Sequence, residues 1–218
     1  MEAKEQLRQI VAQLAGLEPE AIRTDFSLRS RGLQSSVRRA ALAAAIRRHL
    51  GVNIPQIYTV VSFSELEAAV LHGESKATGS SMLPNDLQKT VAASALSGVD
   101  DLACGIDIER VDAMPVTDDY WEHEFYKESF SKDEIAYCLL QENPRMHFAA
   151  RWCAKEALVK CDPAFKGQPF SSLEVVRNEA GEVSLAHHVN GTSTKPPHAV
   201  SISHTETMAA AVVVRKPK

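Results

Sequence analysis

The segment Gly73–Ser81, GESKATGSS, constrains this chain more than any other, because nine consecutive residues offer no large apolar side chain. A run of glycine, serine, threonine and charge cannot join a hydrophobic core and reads as a flexible tether. Whatever folds must therefore fold on either side of it. The 218 residues divide into a unit over 1–74, a linker over 75–101 and a second unit over 102–218, and each unit is of single-domain size. The later part of the linker, DLQKTVAASAL, has moderate helical character of its own.

The two units differ in kind. In the first, Leu7, Ile10, Val11 and Leu14 recur at the spacing of one buried helix stripe. A polar stretch with Pro19, Asp25 and Gly32 then reads as a long loop. A second helix starts near Ser35, a good N-cap, and stops at Gly51; a last one starts near Ser62 or Ser64 and ends at Gly73. This unit is an all-α bundle. In the second unit, LACGIDIERV alternates as a strand does, and three helices follow in WEHEFYKESF, SKDEIAYCLL and PRMHFAARWCAKEALVKC. Ser131 and Glu134 form a capping box for the middle one. Two hairpins close the chain, turning at Glu179–Gly181 and near Thr205–Thr207, so this unit is α+β.

Composition narrows the function classes. With 44% hydrophobic and 24% charged residues the chain is an ordinary globular protein. No apolar run approaches a membrane span and the start is charged, so no membrane association and a cytoplasmic location are expected. Cys104, Cys138, Cys153 and Cys161 lack metal-knuckle or redox spacing and are expected to be reduced thiols in small apolar niches. A net charge of −4 gives no case for nucleic acid.

Asp107 and Glu109, two apart on the expected strand, leave one face and can converge on a cation. In ARWCAKEALVK, Glu156 and Lys160 are i, i+4 neighbours, and Arg151 and Lys155 form a second pair beside them. If that helix crosses the strand, three carboxylates would hold magnesium, and the cations would neutralise phosphate. Spacing alone is equally compatible with a solvated strand face and a self-paired exposed helix.

GIDIERV, FSKDEIAYC, RWCAKEALVK and VSISHTETMAAAVV, in that order over about residues 103–215, resemble the motifs of the 4′-phosphopantetheinyl transferases of the short, holo-acyl-carrier-protein-synthase type. The position of SISH after every other motif favours the short type over the larger surfactin-type enzymes. The resemblance implies magnesium-dependent transfer of phosphopantetheine from coenzyme A to a serine, with release of adenosine 3′,5′-bisphosphate. It implies Asp107, Glu156 and, as a third ligand or water-orienting group, Glu109 at the metal, with Asp107, Glu156 and Lys160 catalytic. Glu156 would deprotonate the serine and Lys160 would sit at the pyrophosphate. Lys155, Arg151 and Arg145 would contact coenzyme A phosphates, with Ser203 and His204 near the nucleotide. Short-type enzymes are usually trimers with the site between protomers, so a homotrimer is implied.

The first unit, LEPEAIRTDFSLRSRGLQSSVRRAALAAAIRRHLGVNIP, is similar to acyl carrier domains of polyketide and fatty-acid synthases, a four-helix fold. Gly32-Leu33-Gln34-Ser35 matches the attachment motif, which implies 4′-phosphopantetheine on Ser35, with Ser36 one position out of register. Gln34 replaces the usual aspartate. Helix two, normally acidic in carriers, bears Arg38, Arg39, Arg47 and Arg48, while Glu128 stands where the transferase family usually offers an arginine. Both sides having changed sign, a basic carrier helix is expected to dock on an acidic transferase surface. The implied protein is a carrier fused to its own activating enzyme. Two alternatives stand beside it: a docking module serving a separate synthase carrier, and a carrier fused to an inactive coenzyme A-binding domain.

Overall fold

The computed structural model describes residues 2–30, 33–71 and 102–215. The tether and the helical stretch expected within 75–101, and the end of the third helix at Gly73, lie outside these residues. The N-terminal region consists of α1 (Glu2–Ala15), a single 3-10 turn at Pro19–Ala21, α2 (Ser36–Leu50) and α3 (Phe63–Leu71). Where four helices are expected, the described residues therefore carry three and one short turn. The stripe Leu7, Ile10 and Val11 of α1 is buried against Leu42 and Ile46 of α2 and Phe63 and Leu66 of α3. Gly51 ends α2 at φ 68°, a left-handed conformation that suits glycine.

The second region runs β1 (Cys104–Arg110), α4 (Glu124–Ser129), α5 (Lys132–Leu139), α6 (Pro144–Cys161), β2 (Leu173–Arg177), β3 (Val183–Val189), β4 (Thr192–Thr194), β5 (His198–His204) and β6 (Met208–Arg215). The α+β reading, the capping box on α5 and both hairpins are found as expected. Two antiparallel three-stranded sheets result, in the orders β1-β6-β5 and β2-β3-β4. Helix α6 lies against both, its Ala149, Ala150, Ala154 and Ala157 keeping that surface thin. The closest approach is at Gly105 of β1, where a Cβ would stand 2.0 Å from the Ala157 carbonyl oxygen and 2.6 Å from the Cys161 nitrogen. Only glycine fits there, and this contact sets the strand carrying Asp107 and Glu109 directly against the helix carrying Glu156.

Helix α2 explains how the regions meet. Its Val37, Ala41 and Ala44 pack into the core of the second region, whereas Leu42 and Ile46 face its own. A helix buried on two faces needs no single apolar stripe, which is why its pattern of alanines and arginines looks weakly amphipathic. Cys138, Cys153 and Cys161 are buried free thiols, but Cys104 is exposed, contrary to the expectation for all four. No described helix is long and apolar enough to cross a membrane.

Candidate functional site

The alternation of β1 turns Gly105, Asp107 and Glu109 inward while Ile106 and Ile108 face outward. Across the ladder, Asp107 and Glu109 pair with Ala211 and Ala209 of β6, whose methyl groups leave space beside the carboxylates. Lys160, half exposed, reaches back from the end of α6 and donates to Asp107 Oδ1 at 2.7 Å and to the Ile106 carbonyl at 3.3 Å. The other oxygen, Asp107 Oδ2, is buried without a hydrogen-bond partner. One turn before Lys160, burial pushes the Glu156 carboxyl up to about 7, with Asp107 and Glu109 adding repulsion and Lys160 opposing it. Burial also raises Glu109, with Asp107 adding repulsion, against the hydrogen bond from the Arg110 amide at 2.9 Å and the nearby Ser35 hydroxyl and Val37 amide.

The three acids are thus neighbours, as the spacing predicts, but they do not act as one ligand set. Among the described residues no three acidic, histidine or cysteine side chains are arranged to hold a metal. Glu109 instead faces the start of α2. The third carboxylate of the expected set is thus turned toward the Ser35 hydroxyl and the Val37 amide, a placement that depends on where α2 packs and not on the strand's own spacing.

The expected phosphate ligands scatter. Arg151 and His204 line a cavity of about 230 Å³ together with Tyr137, His147, Arg177 and Ile202. The Arg151 guanidinium stacks 4.1 Å over the Tyr137 ring, and its Nε has no partner. The His147 and His204 rings meet at 4.9 Å. Burial, followed by the charges of His204, Arg151 and Arg177, pulls His147 down to about 4. Such a cavity, walled by cationic and neutral donors, accepts anions. Arg145 lies elsewhere and donates to the Met114 carbonyl at 2.9 Å. Ser203 pairs with Ala210 on the face that carries Ile108, so it points away from the His204 cavity.

Lys155 departs furthest from expectation. It is fully buried, and its ammonium donates to Glu134 Oε2 at 2.5 Å, the Ser129 carbonyl at 2.7 Å and the Phe170 carbonyl at 2.9 Å. Those bonds use all three of its donors. Glu134 is equally committed, since it also accepts from the Ser131 and Val175 amides. Lys155 therefore ties α6 to α4, α5 and the turn at Phe170 just before β2, and leaves no donor for a phosphate.

The basic helix meets acidic residues as the sign change suggested. Arg47 pairs with Glu128 at 2.9 Å and Arg48 with Glu124 at 2.5 Å, while Arg38 donates to the Asp112 carbonyl at 3.0 Å. Arg39 does not take part. It is buried within its own bundle, donating to the carbonyls of Leu28, Ile57 and Val60. Ser35 caps α2, its oxygen accepting the Arg38 amide at 3.2 Å.

Sequence reasoning missed four participants. Trp152 donates its indole N–H to the Ser36 hydroxyl at 3.0 Å. Tyr58, more than half exposed, is near enough to Glu156 for that charge to add to partial desolvation in raising the phenol. Glu124 and Arg177 complete the ion pairs and the cavity. Trp152 sits inside a quoted motif, and its polar edge in an otherwise apolar position was the available signal; the others carry none in sequence.

With this geometry in place, the comparisons agree on the second region. A family profile described as the 4′-phosphopantetheinyl transferase superfamily matches residues 103–213, and the chain belongs to that family. The chain is similar to the fatty acid synthase subunit alpha of Lachancea kluyveri, 29% identical over 177 residues that cover 75% of this chain and 9% of the relative. It is similar to the holo-[acyl-carrier-protein] synthase of Syntrophus aciditrophicus, 32% identical over 120 residues that cover 50% of this chain and 91% of the relative. Among solved structures, the holo-[acyl-carrier-protein] synthase of Thermotoga maritima aligns at a TM-score of 0.43 and 24% identity, covering 53% of this chain and 64% of that one. The chain spans less than a tenth of the length of the fatty acid synthase alpha subunits it matches.

Proposed function

We propose that this chain transfers 4′-phosphopantetheine from coenzyme A to a serine at the start of α2 in its own N-terminal domain, in cis or between subunits, releasing adenosine 3′,5′-bisphosphate. The observation that carries the reading is the seating of α2: the serine pair 35–36 stands against the strip of β1 and α6 that bears Glu109, Asp107 and Glu156. Membership of the transferase family supports the reaction type.

The chemistry of the acids fits magnesium. Asp107 has a buried oxygen with no partner, and Glu156 is pushed up beside it, a pattern of uncompensated negative charge that a cation relieves. Magnesium is usually held by one or two carboxylates plus substrate phosphates, so a preformed cage of three is not required. Asp107 and Glu156 would hold the ion, which when bound would neutralise the coenzyme A pyrophosphate. Glu156, the carboxylate of α6 nearest this strip, is suited by its place to take the proton of the attacking serine. Lys160, exchanging Asp107 for the leaving phosphate, stabilises adenosine 3′,5′-bisphosphate as it departs. Arg151 and His204 offer the cavity for a nucleotide phosphate.

Ion pairs between α2 and Glu124 and Glu128 support docking of a basic carrier, and the tether keeps its effective concentration high. The outward face of the first sheet leaves Ile106 and Ile108 more than half exposed. An apolar face of that kind is suited to self-association, and the family resemblance makes a homotrimer the assembly to test. Incubation of the full chain with magnesium and coenzyme A, followed by intact mass measurement, tests the reading. One added phosphopantetheine is expected on wild type and none on the Ser35→Ala/Ser36→Ala double variant; an unchanged wild-type mass overturns it.

A further inference from the structure

We propose that Ser36, not Ser35, receives the phosphopantetheine, and that Trp152 presents it; this rests on the transfer reading above. The two hydroxyls are adjacent in sequence yet do different work. Ser35 has extended backbone, φ −70° and ψ 150°, and its Oγ holds the Arg38 amide at 3.2 Å. It also faces Glu109 beside the Val37 amide. Both interactions secure the end of the helix and tie it to β1. Attack through that oxygen would release the cap.

Ser36 is the first helical residue, and its Oγ accepts the Trp152 indole N–H at 3.0 Å. The indole is 1% exposed and is packed between the rings of Phe125 and Phe170, so its N–H is a fixed point. Trp152 and Glu156 are i, i+4 on α6 and share one face. Tyr58 and Ala43 of the N-terminal region line one cavity with Trp152, which places that face of α6 against the N-terminal region. Ser36 is thereby held on the strip that bears the proton acceptor. One lone pair of its oxygen takes the indole N–H, while the other, with the hydroxyl proton, stays available.

The step balances. Ser36 Oγ bonds to the phosphorus bearing the pantetheine, and its proton passes to the Glu156 carboxylate. The bond from that phosphorus to the bridging oxygen breaks, and its electron pair leaves on the 5′-phosphate of adenosine 3′,5′-bisphosphate.

The test uses the full chain with magnesium and coenzyme A, and locates the added group by fragment-ion mapping of the peptide spanning both serines. The group is expected on residue 36 of the unmutated chain. Ser35→Asn keeps an N-cap of equal quality and a donor toward Glu109, so it should be modified within about threefold of the wild-type rate, whereas Ser36→Ala should remain unmodified. A group mapped to residue 35, or modification of Ser36→Ala, overturns the assignment while leaving the transfer reading intact. No group on the unmutated chain sinks the transfer reading and this assignment with it.

Discussion

Helix α6 carries two lysine–carboxylate pairs five residues apart, and they are opposites. Lys155 and Glu134 are buried, with every donor of the lysine used and the carboxylate shared with two backbone amides. Lys160 and Asp107 sit at the edge, with the lysine half exposed and one aspartate oxygen left without a partner. The first pair is complete and can only hold the fold. The second is incomplete, which is what the proposed cation and diphosphate would need. A residue type and a spacing do not separate the two; the surrounding partners do.

The largest effect should come from breaking the complete pair. Lys155→Met leaves Glu134 buried and uncompensated, and urea denaturation should report a loss of about 3–5 kcal/mol. Lys160→Met should cost less than about 1 kcal/mol in the same assay, being half exposed, yet slow phosphopantetheine transfer. Equal destabilisation by the two variants would erase the contrast. Next in size, Asp107→Asn should lower the transfer rate about 100-fold at saturating coenzyme A, in line with loss of one electrostatic contact to the transition state. An unchanged rate would remove Asp107 from the site.

Glu156 sharpens the contrast through pH. Its folded pKa of about 7 lies above the ordinary value of 4.5, so the folded state binds the extra proton between those values. Stability from this group is present below about pH 4.5 and is lost as pH rises toward 7. Metal-free Glu156→Gln should therefore be more stable than wild type at pH 8, by about 2 kcal/mol after allowance for partial solvent access, and no more stable at pH 4. The same variant should be inactive. A stability difference independent of pH would contradict the crowding of acids. The smallest effect belongs to the exposed docking pairs. Arg47→Glu should slow self-modification about fivefold at low salt and much less at high salt, with Glu128→Arg restoring it in the double variant. Additive slowing would show that the pair does not couple.

Much of this was legible in the chain. The alternation GIDIERV placed Asp107 and Glu109 on one face, the S-x-x-E signature capped α5, and i, i+4 spacing aligned Glu156 with Lys160. What escaped depends on which face of an element is covered, which local periodicity does not encode. Arg151 and Lys155 form a stripe as regular as Glu156 and Lys160, but that stripe turns inward to Tyr137 and Glu134. Arg38 and Arg39 are adjacent in a basic run, yet one reaches across to Asp112 and the other closes three carbonyls inside its own bundle. The need for glycine at 105 follows only from a backbone contact 52 positions away, at Ala157.

The alanines along α2 have a mechanical consequence. Ala41 and Ala44 offer only methyl groups to the neighbouring core, and a buried methyl or methylene contributes about 0.8 kcal/mol, well short of a leucine side chain. Apart from Val37 and the bonds from Trp152 to Ser36 and from Arg38 to Asp112, the seam relies on such small groups and on ion pairs that salt screens. Under the proposed self-modification, such a seam would let the N-terminal region part from the second region after transfer and return to it.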